Sequence, residues 1–172
     1  MSDEAILNEH YEQKGWGRPL EIVTYDRVPG MYKAVFSDRS EYGVLRGGKL
    51  LEGKGLGPAG AYMRDVQLLT CAPEPHELIA LLDSFGALPP ISPSGYAAPD
   101  QFYDHERHPE LSPVLELGAG GGALILNYLL PYRGGPTANP DLRTVMQWTL
   151  AIPPDYELAW SEEETTFDVG AL

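Results

Sequence analysis

One cysteine in 172 residues, Cys71, leaves the chain unable to close an internal disulfide, and this absence fits a reducing compartment. Long apolar runs are missing too. No segment approaches the roughly twenty consecutive apolar residues that a membrane helix needs. The opening Met1-Ser2-Asp3-Glu4 is acidic and leads into no apolar centre, so the pattern of a secretory signal is absent. Together these shortages set a cytoplasmic expectation. No internal repeat at solenoid spacing is visible.

The scarcest feature is positive charge in the second part of the chain. Residues 1 to 64 hold nine Lys and Arg against nine Asp and Glu, whereas residues 65 to 172 hold sixteen acids against Arg107, Arg133 and Arg143, which accounts for the net charge of −13. Nucleic acids and anionic membranes are bound by clustered cations that neutralise phosphates and release counterions. The sequence therefore predicts no nucleic-acid partner and no membrane partner, and makes a basic protein the electrostatic complement.

What is abundant is glycine and proline, 19 and 16 residues, and hence turns. Residues 3 to 14 read as a short helix, with Ser2 as cap, Asp3 and Glu4 at its positive end, an apolar stripe of Ile6, Leu7 and Tyr11, and Lys14-Gly15 closing it. The period then changes to two. Residues 20 to 25 and 31 to 36 are rich in β-branched and aromatic side chains around the turn Val28-Pro29-Gly30, and Tyr42 to Leu45 and Lys49 to Leu51 flank Gly47-Gly48. Both read as antiparallel hairpins. Residues 64 to 71 read as a strand, with a helix opened by Pro58-Ala59-Gly60-Ala61 as the alternative. Pro75 to Gly86 is a firmer helix, with Leu78, Leu81, Leu82 and Phe85 on one face. Strict alternation from Leu142 to Ile152 resumes at Tyr156, Leu158 and Trp160 after Pro153-Pro154-Asp155, the clearest hairpin in the chain.

These elements predict a single domain, residues 1 to 172, of α+β class: a largely antiparallel β-sheet built from hairpins, about two covering helices, and a long Pro-rich loop. Residues 161 to 172, opening on Glu162-Glu163-Glu164, read as a mobile acidic tail. The long loop is residues 86 to 113, with prolines at 89, 90, 93, 99, 109 and 113. Loops of such length in compact domains tend to carry function.

Within that loop stands the densest polar cluster, Asp104-His105-Glu106-Arg107-His108. Two histidines three apart reach one divalent metal if the backbone turns helically, with Asp104 or Glu106 as third ligand or general base, so His105 and His108 are the candidate metal ligands. Pro109 opposes a helical conformation at His108, and the charged loop is equally a solvated surface. Tyr96, Phe102 and Tyr103 punctuate the same loop. Aromatic anchors interleaved with Asp104 and Glu106 suit a protein-binding surface, and rings packed back onto the sheet are the alternative.

Two glycine motifs and the cysteine bear on chemistry. Val114 to Gly122 (Val-Leu-Glu-Leu-Gly-Ala-Gly-Gly-Gly) resembles the first motif of the S-adenosylmethionine-dependent methyltransferases, which implies a strand ending in a glycine turn beside the cofactor. The resemblance covers nine residues, and the fifty that follow are too few for that family's doubly wound fold; two buried strands joined by a glycine turn is the plainer reading. Gly55-Leu56-Gly57-Pro58-Ala59-Gly60 has the spacing of a dinucleotide-binding loop but follows a hairpin instead of opening a βαβ unit, and reads as a mobile loop. Cys71 has no histidine beside it in sequence and reads as a structural thiol.

Two functions remain on sequence grounds. The first is a non-enzymatic cytoplasmic binding protein whose acidic C-terminal half engages a basic protein partner, in the manner of an inhibitor or immunity protein. The second is a small enzyme or ligand-binding domain with a metal or acid-base site in the 86 to 113 loop.

Overall fold

Ser2 accepts a hydrogen bond from the Ala5 amide at 3.2 Å, Asp3 and Glu4 occupy the first turn, and helix α1 runs Asp3–Gln13 as its sequence pattern predicts. The computed structural model describes residues 1–92, 95–96, 109–118, 120–129 and 142–168. These fold as two compact units, Met1–Ala87 and Leu88–Leu172.

In the first unit, β1 (Glu21–Thr24), β2 (Met31–Val35), β3 (Ser40–Arg46) and β4 (Lys49–Leu50) form an antiparallel meander in chain order. Gly30, at φ +80°, turns the chain into β2 so tightly that a Cβ would strike the Leu45 carbonyl oxygen, whose own amide donates to the Gly30 carbonyl at 2.8 Å. One sheet face presents Tyr32, Ala34, Phe36 and Leu45 to Leu7 and Tyr11 of α1, with Ile6, Trp16, Ile22 and Leu50 at the margin. Gly43 lies opposite Tyr32 in register, and a Cβ there would run into the tyrosine ring. The missing side chain is what lets Tyr32 lie across the neighbouring strand.

Residues 64 to 71 correct the strand expectation. Helix α2 covers Leu56–Val66, and Leu68–Cys71 is a single turn of 3-10 helix. The buried side is Ala59, Gly60, Tyr62 and Met63. Its helical spacing begins before residue 64, so a window opened there sees only the helix end. Gly55, at φ +99°, precedes the first turn and donates to the Phe85 carbonyl at 2.6 Å, so the expected mobile loop is an ordered helix start. Tyr62 Oη donates to the Pro29 carbonyl at 2.6 Å and ties α2 to the β1–β2 turn.

Helix α3 (Pro75–Ser84) follows the sequence reading closely. Glu74 and Glu77 form a reciprocal capping box, Leu78, Ile79, Leu81 and Leu82 are buried, and Gly86 ends the helix at φ +58°. The helix packs against β3. Three α-helices are therefore present among the described residues where about two were expected.

The second unit opens with a short hairpin, β5 (Pro90–Ser92) and β6 (Gly95–Tyr96), and a 3-10 turn at Pro109–Leu111, both inside the segment read as a continuous loop. Its main sheet is β7 (Val114–Gly118), β8 (Gly121–Leu129), β9 (Leu142–Ile152) and β10 (Ala159–Asp168), antiparallel throughout and ordered β10-β9-β8-β7. Residues 161–168 are strand, which corrects the expected tail: each residue from Ala159 to Asp168 has a partner on β9. The observed class is α+β with antiparallel sheets. Among the described residues no helix is long and apolar enough to cross a membrane.

The methyltransferase resemblance fails on geometry. Val114–Gly118 runs into an antiparallel strand at Gly121, not into a helix whose N-terminus could meet a cofactor. The plainer reading also needs correction, since β7 is an exposed edge strand with Val114 and Leu117 open to solvent, and only β8 is substantially buried.

Candidate functional site

Of the residues singled out in the sequence, Tyr96 ends β6, paired with Pro90. Phe102, Tyr103, Asp104, His105, Glu106 and His108 lie outside the described residues, so the candidate metal pair and most of the aromatic partner surface are without a structural account. Among the described residues no group of three or more His, Cys, Asp or Glu is placed to hold a metal ion. Cys71 is half-buried with Sγ turned to the carbonyls of Val66 and Gln67, each at 3.9 Å, the setting of a structural thiol.

The acidic character of the second unit takes a definite form. Its twelve Asp and Glu face three Arg, a net −9 of the total −13, and no Lys or Arg follows Arg143. Asp155, Glu157, Glu162, Glu163, Glu164 and Asp168 are all exposed. On β10 the inner neighbours of the three consecutive glutamates are uncharged: Glu162 faces Trp148, Glu163 faces Gln147 and Glu164 faces Met146. Alternation along a strand sends Glu162 and Glu164 to one side of the sheet and Glu163 to the other. The carboxylates thus line an edge rather than one flat face, and among the described strands only β9 pairs with β10.

Five of the nine Lys and Arg of the first unit are paired with acids of that unit. Lys14 pairs with Glu41 at 3.0 Å, Arg18 with Glu12 at 2.8 Å, Arg27 with Glu74 at 3.4 Å, Arg39 with Asp38 at 3.1 Å and Arg46 with Asp65 at 3.6 Å. All five are exposed pairs of small energetic worth, but they show where that positive charge is directed.

Behind β10 stands Trp148, nearly buried and edge-on to Trp160 with ring centroids 6.3 Å apart. Its Nε1–H is buried with no acceptor among the described residues. On the opposite side of the sheet Asn127, also buried, is satisfied: it accepts from Gln147 Nε2 at 3.2 Å and donates to the Leu111 carbonyl at 3.5 Å.

The first unit holds a separate cleft of about 240 Å³, lined by His10, Lys14, Tyr32, Glu41, Tyr42, Lys54 and neighbouring residues of β3 and β4. The hydroxyl of Tyr32, one of the lining residues, meets that of the buried Tyr11 at 3.0 Å. Burial drives the Tyr11 phenol far above its ordinary range, and the Tyr32 hydroxyl and Glu41 carboxylate push the same way. Tyr32 is raised by burial as well. Both stay protonated at neutral pH and act as hydrogen-bonding groups, not as bases. At the rim Lys54 Nζ donates to the Ser84 carbonyl at 2.9 Å, placing an ammonium on the negative end of α3. Burial raises the Asp83 carboxyl beside it, against the pull of Lys54 and with a push from Glu41. Sequence reasoning missed this cleft because its members come from α1, β2, β3 and α3 and share no spacing pattern.

Compared with protein-family models, with curated proteins and with solved structures, the chain matches none of them.

Proposed function

We propose that the protein is a non-enzymatic binding protein whose acidic second unit engages a basic protein partner, as an inhibitor or immunity protein engages a cationic target. The observation that carries this reading is the run of six exposed carboxylates from Asp155 to Asp168 with no Lys or Arg beyond Arg143. Such a field speeds encounter with a cationic surface and discourages acidic competitors. The engaged cations of the first unit support it, since they are occupied by acids of their own unit. Affinity for cationic proteins, measured by calorimetry between 50 and 300 mM salt, is expected to fall steeply and to drop again in E162Q/E163Q/E164Q. Salt-independent binding, or indifference to the triple substitution, sinks the proposal.

A ligand-binding reading draws support from one feature, the first-unit cleft with His10, Lys14, Tyr32, Glu41 and Tyr42 around a small volume. A metabolite library screened by thermal shift against the native protein and K14M/E41Q tests it: a hit that stabilises only the native protein favours this reading, and a library without hits removes it.

A further inference from the structure

We infer that the first-unit cleft seats one free aliphatic α-amino acid, which pairs with Tyr42 as a single added strand residue. This rests on the ligand-binding reading of the cleft and is independent of the basic partner. The Leu45 amide donates to the Gly30 carbonyl at 2.8 Å and the Leu51 amide to the Val44 carbonyl at 2.9 Å. Backbone groups along an antiparallel strand turn alternately to one neighbour and the other, so Glu41, Gly43 and Leu45 address β2 while Tyr42 and Val44 address the β4 side. β4 ends at Leu50, and Leu51 gives the last backbone hydrogen bond to β3 from that side. The Tyr42 N–H and C=O, two residues back along β3, therefore open on the cleft with no strand opposite them among the described residues.

In a hydrogen-bonded antiparallel pair two residues exchange both N–H···O bonds. A free amino acid carries both halves of that exchange: its ammonium donates to the Tyr42 carbonyl and its carboxylate accepts from the Tyr42 amide. The lining carries both signs of charge as well, Lys14 and Lys54 against Glu41 and Glu52. A bare anion or a bare cation meets repulsion there together with attraction, whereas a zwitterion meets a partner at each end. Lys14 is held by both oxygens of Glu41, at 3.0 and 3.2 Å. Lys54 uses one of its donors on the Ser84 carbonyl, and the exposed Glu52 has no ion pair among the described residues. These two are left for the ligand carboxylate and ammonium. Leu51, 37% exposed, extends the β4 register to lie opposite Val44, on the same sheet face as Tyr42, and offers an aliphatic side chain apolar contact. A volume of about 240 Å³, below the ~300–1,000 Å³ of sites for drug-sized ligands, suits a molecule this small.

The test uses the full chain and four probes: L-leucine; isopentylamine, which lacks the carboxylate; isocaproate, which lacks the ammonium; and N-acetyl-leucinamide, which lacks both charges and stands for the interior of a peptide. Calorimetry is expected to give saturable binding of L-leucine and at least about tenfold weaker binding of the other three, since each lacks a charge-assisted hydrogen bond. Bound leucine should slow amide hydrogen exchange at Tyr42, and E52Q, at an exposed side chain, should weaken leucine about tenfold without moving Tm. If any of the other three probes binds within twofold of leucine, or leucine binds without protecting Tyr42, the amino-acid assignment is overturned while the cleft stands as a ligand site. If leucine does not bind but another metabolite stabilises the native protein and not K14M/E41Q, the assignment falls and the ligand-binding reading stands. If no metabolite binds, leucine included, both fall together.

Discussion

The hydroxyl of Tyr11, on α1, lies 3.0 Å from that of Tyr32, on β2, and this contact fixes the helix to the sheet inside the first unit. The two hydroxyls are not equivalent. The Glu41 carboxylate pushes both phenols upward, Tyr11 by a side-chain interaction as well as by charge and Tyr32 by charge alone. Tyr11→Phe strands the buried Tyr32 hydroxyl and Tyr32→Phe strands that of Tyr11, so each is expected to cost ~1–2 kcal/mol, with the double variant costing less than their sum. Urea unfolding of both single variants and the double variant checks the costs and the coupling between them.

Alkaline titration addresses the same pair. Tyr11, Tyr32 and Tyr62 all have phenols raised chiefly by burial. Folded values above unfolded ones mean that the stability tied to these groups is full below the ordinary tyrosine pKa of about 10 and is lost as the pH rises towards the folded values. Absorbance at 295 nm should show at least three of the ten tyrosines ionising only together with loss of the fold.

Asp83 gives a pH dependence at the other end. Its carboxyl is raised by burial, so the protonated form suits the folded state and ionisation at neutral pH is unfavourable. Asp83→Asn is expected to raise Tm at pH 7, and the gain should vanish below the unfolded carboxyl pKa of about 4, where Asp83 itself is neutral. Thermal melts at pH 7 and pH 3 compare the two proteins.

Gly43 tests the packing of Tyr32. A Cβ at this position collides with the ring, so Gly43→Ala should destabilise by roughly 2–3 kcal/mol through displacement of a buried aromatic. In a Tyr32→Leu background, with no ring to strike, the same change should cost less than half as much, as read from denaturation midpoints.

The division of the chain into Met1–Ala87 and Leu88–Leu172 leads to a further expectation. The first unit has its own aromatic core around Tyr11, Tyr32 and Phe36. A fragment of residues 1 to 87 should keep a cooperative thermal transition and the Trp16 emission of a half-buried ring. A fragment that melts without cooperativity contradicts this.

Much of this protein is set by the sequence alone. Ser2 with Asp3 and Glu4, the Gly47-Gly48 turn, Pro75 with its terminal Gly86, and the alternation from Leu142 to Ile152 are local instructions, since capping, positive φ and side-chain period act over a few residues. The surplus of carboxylates after residue 64 is likewise a property of the string. Tertiary structure decided what local pattern cannot encode. It made the glutamates at 162–164 part of a strand, because pairing with β9 outweighed their poor strand propensity. It made residues 56–66 a helix, because burial of Ala59, Tyr62 and Met63 tipped a segment that reads both ways. And it joined His10, Tyr32, Glu41 and Lys54 around one cleft, which only the closing of a helix over a sheet can do for residues up to forty-four positions apart.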